Sequence, residues 1–142
     1  MATHEKGSCL CGQYQYDITR ESVVTTLHCH CRDCRKVTGS GKATIAMVPE
    51  DQFTSAGELK TYQCVGSEGS HVTRGFCPTC GSQLLSYVEE IPGLIFIKAG
   101  TLEDGSWLTP SMSVWRDTAE PWSPVDETLA CADRNPDMAA FG

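Results

Sequence analysis

Cys77-Pro78-Thr79-Cys80-Gly81, read together with Cys9-Leu10-Cys11-Gly12, decides how this chain is held together. Two thiolates three positions apart on a tight turn can face one ion, and a glycine after the second lets the backbone turn beneath the sulfur. A Cys-x-x-Cys pair also serves as a redox couple. Redox pairs of the thioredoxin type sit where a strand enters a helix, whereas the flanks here, His71–Cys77 and Gln83–Val88, read as strand, turn, strand. Metal is the preferred reading. A structural zinc takes four ligands, and Cys9 with Cys11 offers the missing pair. Their spacing would put both side chains on one face of an extended segment. Cys9, Cys11, Cys77 and Cys80 then form a closed tetrahedral site, and the long loop between the pairs adds stability by restricting the unfolded chain.

The middle cluster, Cys29-His30-Cys31-Arg32-Asp33-Cys34, is different in kind. Three thiolates within six residues converge on one ion and leave a fourth position open, the pattern of a catalytic zinc. Arg32, Arg35 and Lys36 interleave with them; a zinc with three thiolates carries one net negative charge, which such neighbours offset. They are also candidates for holding an anionic substrate beside the metal, with Arg74 a further one. The alternative is a second closed site with His28, His30, His71, Cys64 or Cys131 as fourth ligand. His28 and His30 read equally as strand residues or as acid–base groups. Cys64 and Cys131 read as ordinary thiols. Trp107, Trp115 and Trp122 read as packing residues.

The rest of the chain bounds the answer. It has 142 residues, enough for one domain (1–142) with a real core, and nine cysteines, an odd number better suited to metal than to disulfides. Neither an apolar span nor a secretory leader is visible, so a soluble, cytoplasmic chain is expected. The net charge of −7 is uneven: residues 1–100 hold 9 Lys and Arg against 10 Asp and Glu, while residues 101–142 hold 2 against 8. Such an acidic third speaks against nucleic acid or an anionic membrane as partner. Serine-hydrolase, phosphate-loop and HExxH motifs are missing. Periodicity is mainly β: strands are expected at Gln13–Thr19, Val23–His28, Lys42–Val48, Leu59–Cys64, His71–Cys77, Gln83–Val88, Leu94–Lys98 and Ser113–Arg116. Short helical turns are expected at Arg32–Thr38 and Asp126–Cys131, an unordered terminus at His4, and an irregular acidic extension from about Thr118. The architecture expected is short antiparallel β-strands with few helices.

Gly7-Ser-Cys-Leu-Cys-Gly12, Cys29-His-Cys-Arg-Asp-Cys-Arg35 and Phe76-Cys-Pro-Thr-Cys-Gly-Ser82, in this order, resemble the glutathione-dependent formaldehyde-activating enzymes and their centromere protein V-like relatives. The resemblance continues through Ala99-Gly-Thr-Leu-Glu-Asp104 and Pro121-Trp122. It implies an Mss4-like fold of antiparallel β-sheets with two zincs: a structural one on Cys9, Cys11, Cys77 and Cys80, and a more labile one on Cys29, Cys31 and Cys34. The activity it implies is joining glutathione, as co-substrate, to formaldehyde, a carbon–sulfur lyase-class reaction giving S-hydroxymethylglutathione. Many relatives carry a histidine where this chain has Ser113, ahead of Val114-Trp115. On this reading the partners are a small thiol and a small aldehyde, and Arg32 or Arg35 grips a glutathione carboxylate. The alternative is a zinc-stabilised protein-binding module without catalysis, in which both centres are closed.

Overall fold

The structure, a computed structural model, describes residues 2–136. In chain order the strands are β1 (His4–Ser8), β2 (Gln15–Thr19), β3 (Thr25–Cys29), β4 (Ala43–Pro49), β5 (Thr54–Ala56), β6 (Lys60–Val65), β7 (His71–Phe76), β8 (Gln83–Val88), β9 (Leu94–Lys98), β10 (Met112–Val114) and β11 (Ala130–Cys131). One short helix, α1 (Arg32–Thr38), follows β3. β1, β2 and β5 form a three-stranded sheet; the others form an eight-stranded sheet in the order β11-β10-β3-β4-β9-β8-β7-β6. Pairing is antiparallel throughout, except that β10 runs parallel to both β3 and β11.

Alternation along the central strands organises two cores. In β4 and β9, Val48, Ile95 and Ile97 face one way and pack with Tyr16, Ile18, Leu84, Leu85 and the thiols of Cys9 and Cys77. Ile45, Met47 and Phe96 face the other way and pack with Leu27, Val114, Trp115, Cys29 and Cys34. Covered on both faces, β4 reads as a nearly continuous apolar run rather than an alternating one. β6 at the sheet edge is mostly exposed and opens on Lys60, a charge that discourages edge-to-edge pairing. The three-stranded sheet closes tightly on its core: a Cβ added at Gly7 would lie 2.1 Å from the Tyr16 ring, whose hydroxyl is bonded to Thr101 Oγ1 at 2.6 Å.

Several expectations need correction. His4 is ordered as the first residue of β1, opposite Thr19, with its ring 2.8 Å from the Asp17 carboxylate. Asp126–Cys131 is not helical; the Asp126 carboxylate accepts the Thr128 N–H and hydroxyl in a turn, and β11 follows. The expected strand Ser113–Arg116 stops at Val114 because Trp115 enters the left-handed region, φ 60°, and a 3-10 turn Arg116–Thr118 follows. After that turn the backbone runs irregularly until β11 joins the sheet.

Candidate metal centres and the adjoining cavity

The first thiol group is built by two turns that meet. After β1 the chain turns so that Gly12 N–H bonds to Cys9 O at 3.1 Å, and after β7 it turns so that Gly81 N–H bonds to Cys77 O at 2.9 Å. Gly12 (φ 81°) and Gly81 (φ 78°) supply the left-handed backbone that each turn needs. Cys9 and Cys11 thus sit on a turn, not on the extended segment their spacing suggests. The four sulfurs of Cys9, Cys11, Cys77 and Cys80 all lie within 4.8 Å of one another. Cys9 and Cys11 are 3.6 Å apart, and Cys11 and Cys77 are 3.8 Å apart. A tetrahedral ion with metal–sulfur bonds of about 2.3 Å separates its ligands by about 3.8 Å, so the four thiols fit such an ion. Donors surround the sulfurs as expected for thiolates: Thr79 and Cys80 N–H and Gln13 Nε2 point at Cys77, and Tyr14 N–H at Cys9. The Ser82 hydroxyl, with backbone donors, pulls the Cys80 thiol down to about 5.

The second group joins the end of β3 to the start of α1. Cys31 caps the helix, its sulfur accepting Cys34 N–H at 3.2 Å, and Thr38 with left-handed Gly39 closes the other end. The sulfurs of Cys29, Cys31 and Cys34 lie within 4.8 Å of one another, and among the described residues no fourth Cys, His, Asp or Glu joins them. Hydrogen bonds from Cys29 and Cys34 hold the Cys31 thiol far below the usual range. Cys34 is drawn down by its bond to Cys29, but the Cys31 thiolate and burial outweigh this and push it up to about 11.

Two buried cations accompany this group. Burial lowers the pKa of Lys98, at the end of β9, against the opposing charge of Cys34; the Arg74 cation lowers it further, and Cys29 and Cys31 work the other way. Burial also works against the charge on Arg74 in β7, but the neighbouring sulfurs of Cys34, Cys64 and Cys31 more than compensate. Its Nε has no hydrogen-bond partner. Sequence reasoning missed Lys98 and ranked Arg74 last.

A cavity of about 200 Å³ opens against the three thiols, with Cys29, Cys31, Cys34 and Arg74 in its wall. Arg32 and Arg35 are not among the residues lining it; Arg32 pairs with Asp33, and Arg35 with Glu120 at 2.8 Å. His28 bonds to Thr44 Oγ1 at 2.8 Å, and exposed His71 bonds to Glu90. His30 is fully buried with neither ring nitrogen partnered, outside the thiol group. Cys64 and Cys131 are half-buried free thiols and Trp122 is exposed. Trp115 stands over the cavity, its Nε1–H donating to Asn135 Oδ1 at 2.8 Å, while Asn135 N–H reaches Glu68 in the Gly66–Ser70 loop.

Residues 4–118 match the family model described as glutathione-dependent formaldehyde-activating enzyme. The chain belongs to this family. The match spans all seven clustered cysteines. A solved Rhodobacter sphaeroides structure is similar in fold, with a TM-score of 0.56 and 21% sequence identity over 89% of this chain and 98% of that one. A comparison with curated proteins finds no match. Family membership points to glutathione-dependent formaldehyde activation as the class of activity, and the thiol clusters are compatible with zinc. Ser113 is fully buried in β10, its hydroxyl donating to Asp126 O at 3.3 Å, and does not line the cavity. No helix among the described residues is long and apolar enough to cross a membrane.

Proposed function

We propose that this chain adds a glutathione-type thiol to a small aldehyde such as formaldehyde, giving a hemithioacetal of the S-hydroxymethylglutathione kind, and catalyses the reverse cleavage as a carbon–sulfur lyase. The observation that carries the reading is three thiols in a cavity wall with no fourth protein donor beside them among the described residues. Three protein ligands and one free position is the arrangement of catalytic zinc, whereas the four-thiol group suits a structural one. Zinc held by Cys29, Cys31 and Cys34 would supply Lewis-acid chemistry that favours the thiolate of an incoming thiol.

The chain's own residues do the remaining work. Lys98 and Arg74 offset the excess negative charge of three thiolates in a buried setting. Arg74, in the cavity wall beside the thiols, is the cation placed to meet a carboxylate of the thiol substrate, a role for which Arg32 and Arg35, outside the lining, are less well placed. The apolar walls exclude water and hold the aldehyde beside the sulfur. The sulfur–carbon bond forms, the carbonyl double bond opens, and the thiol proton ends on the former carbonyl oxygen. No outside oxidant or reductant is required.

Cys31→Ser tests the reading. Metal analysis is expected to fall from two zincs per chain to one, with an unchanged circular dichroism spectrum. Glutathione–formaldehyde exchange followed by NMR is expected to fall to the uncatalysed rate; retained catalysis would sink the proposal. A protein-binding module with two closed centres would instead keep both metals under mild chelation.

A further inference from the structure

The reaction with formaldehyde leaves most of the cavity unexplained. The largest share of its wall is apolar: Leu27, Ile45, Met47 and Phe96 project from β3, β4 and β9, and Val88 and Ile91 close it from β8 and the following turn, while charged and hydroxyl side chains, Arg74 and Ser86 among them, take the remainder. Formaldehyde has two heavy atoms and no apolar substituent. An apolar cavity of about 150 Å³ is enough to take up benzene, and this one is about 200 Å³. A wall of this kind gains nothing from a hydrated one-carbon aldehyde and gains with each methylene removed from water.

The charged residues of the lining narrow the assignment. Asp33, Glu68 and Glu90 are carboxylates, and Arg74 is the single cation among the lining residues described. A peptide thiol of the glutathione type carries two carboxylates and a polar backbone, so its body is matched by Arg74 at the thiol group and not by the apolar wall. The group that fills the wall is then the substituent of the aldehyde.

We propose that the preferred aldehyde of this chain carries an apolar substituent of about four to eight carbons, branched aliphatic or aromatic, seated between Met47, Phe96, Val88 and Ile91 with its carbonyl toward Cys29, Cys31 and Cys34. This rests on the thiol–aldehyde reading above and names its substrate class. The step is the same balanced addition: one carbon–sulfur bond forms, and the proton passes from sulfur to the carbonyl oxygen.

The experiment compares formaldehyde, 3-methylbutanal and phenylacetaldehyde with glutathione on the zinc-loaded chain, each rate divided by its uncatalysed rate. One buried methylene contributes roughly fourfold, and the cavity is partly open. The normalised kcat/KM for 3-methylbutanal is therefore expected to exceed that for formaldehyde by at least about tenfold. A ratio at or below one overturns the inference and leaves the thiol–aldehyde reading standing; no acceleration with any aldehyde overturns both. Faster normalised reaction of benzyl mercaptan with formaldehyde would give the cavity to the thiol and likewise overturn the inference. Ile91→Trp, at the half-buried rim, is expected to lower the 3-methylbutanal-to-formaldehyde ratio by about tenfold, and an unchanged ratio counts against the proposal. Toluene, which cannot react, supplies a readout independent of catalysis and of any variant's folding. It is expected to shift the Met47 methyl resonance, assigned with Met47→Leu, and no shift at saturating toluene overturns the inference.

Discussion

Replacing one half-buried cysteine in each centre, Cys80→Ser and Cys31→Ser, is expected to have very different consequences for stability. The side-chain changes are matched in chemistry and in exposure class, so the contrast comes from what each metal ties together. In the four-thiol group Cys11 and Cys77 are 66 residues apart. On the chain-entropy account, a cross-link closing a loop of that length removes about 4 kcal/mol of unfolded-state freedom, whereas one closing five residues removes about 2 kcal/mol. Cys29 to Cys34 spans five positions, part of them already fixed by α1, which lowers the second figure further. The difference is at least about 2 kcal/mol, and at this chain length 1 kcal/mol moves Tm by roughly 3–4 °C. Cys80→Ser is therefore expected to melt about 7 °C or more below Cys31→Ser. Differential scanning calorimetry reads the difference, with zinc content measured on the same samples. Equal melting temperatures for two variants that have each lost one zinc would refute the argument that the four-thiol centre is the structural clamp.

Lys98→Met removes a buried charge while keeping volume, so the fold is expected to survive. The charges of Cys34, Cys29 and Cys31 reach Lys98, so zinc at the three-thiol centre should be lost to a competing chelator at several-fold lower chelator concentration; an unchanged titration would show that Lys98 does not offset the thiolates. The exposed pair His71–Glu90 gives a pH signature: Glu90 raises the His71 pKa, and His71 lowers that of Glu90. The His71 contribution is complete below its ordinary 6.5 and lost as pH rises through the raised value, and the Glu90 contribution is present above its ordinary 4.5 and lost as pH falls through the lowered one. His71→Gln should thus destabilise slightly near pH 5.5 and not at pH 8.5, as read by urea denaturation, and an equal effect at both values would exclude the pair as its cause.

What the sequence makes legible is local. Cys77-Pro-Thr-Cys80 and Cys29-His-Cys31 declare themselves because ligand spacing is written in consecutive residues, and Gln83–Val88 and Leu94–Lys98 declare themselves as strands with their bounds intact. Lys98 and Arg74 are hidden for a physical reason. Alternation places Phe96 and Lys98 on one face of β9, but only the pairing of β9 with β4, and of β4 with β3, shows that this face carries the cysteines. A lysine closing an apolar strand is an available signal, but it says that a charge is buried and not beside what. Arg32 and Arg35 mislead in the opposite sense. Adjacency in sequence to the thiols places them on α1, where Asp33 and Glu120 take their charges. The parallel β10 is too short, at three residues, for periodicity to reveal its partner.

The two centres occupy opposite faces of one sheet, and this division follows from the strand period of two. Val48, Ile95 and Ile97 bury the side that holds Cys9 and Cys77, while Ile45, Met47 and Phe96 bury the side that holds Cys29 and Cys34. The first face is further covered by the three-stranded sheet, through Tyr16 and Ile18, and although Cys11 stays exposed its four thiols would fill all the positions of a tetrahedral metal. The second face has no such cover. Among the described residues the Gly66–Ser70 loop and the stretch around Asn135, joined through Glu68, help to roof it, and the space beneath them is the cavity. A sheet face that carries three thiols and is clear of the second sheet is where an open coordination position can exist, and the largely apolar wall beside it is where a substituent larger than hydrogen would lower the free energy of the bound aldehyde. The proposed chemistry and the proposed selectivity therefore have one structural origin, the strands β3, β4 and β9 turning Leu27, Ile45, Met47 and Phe96 toward the side that the second sheet does not cover.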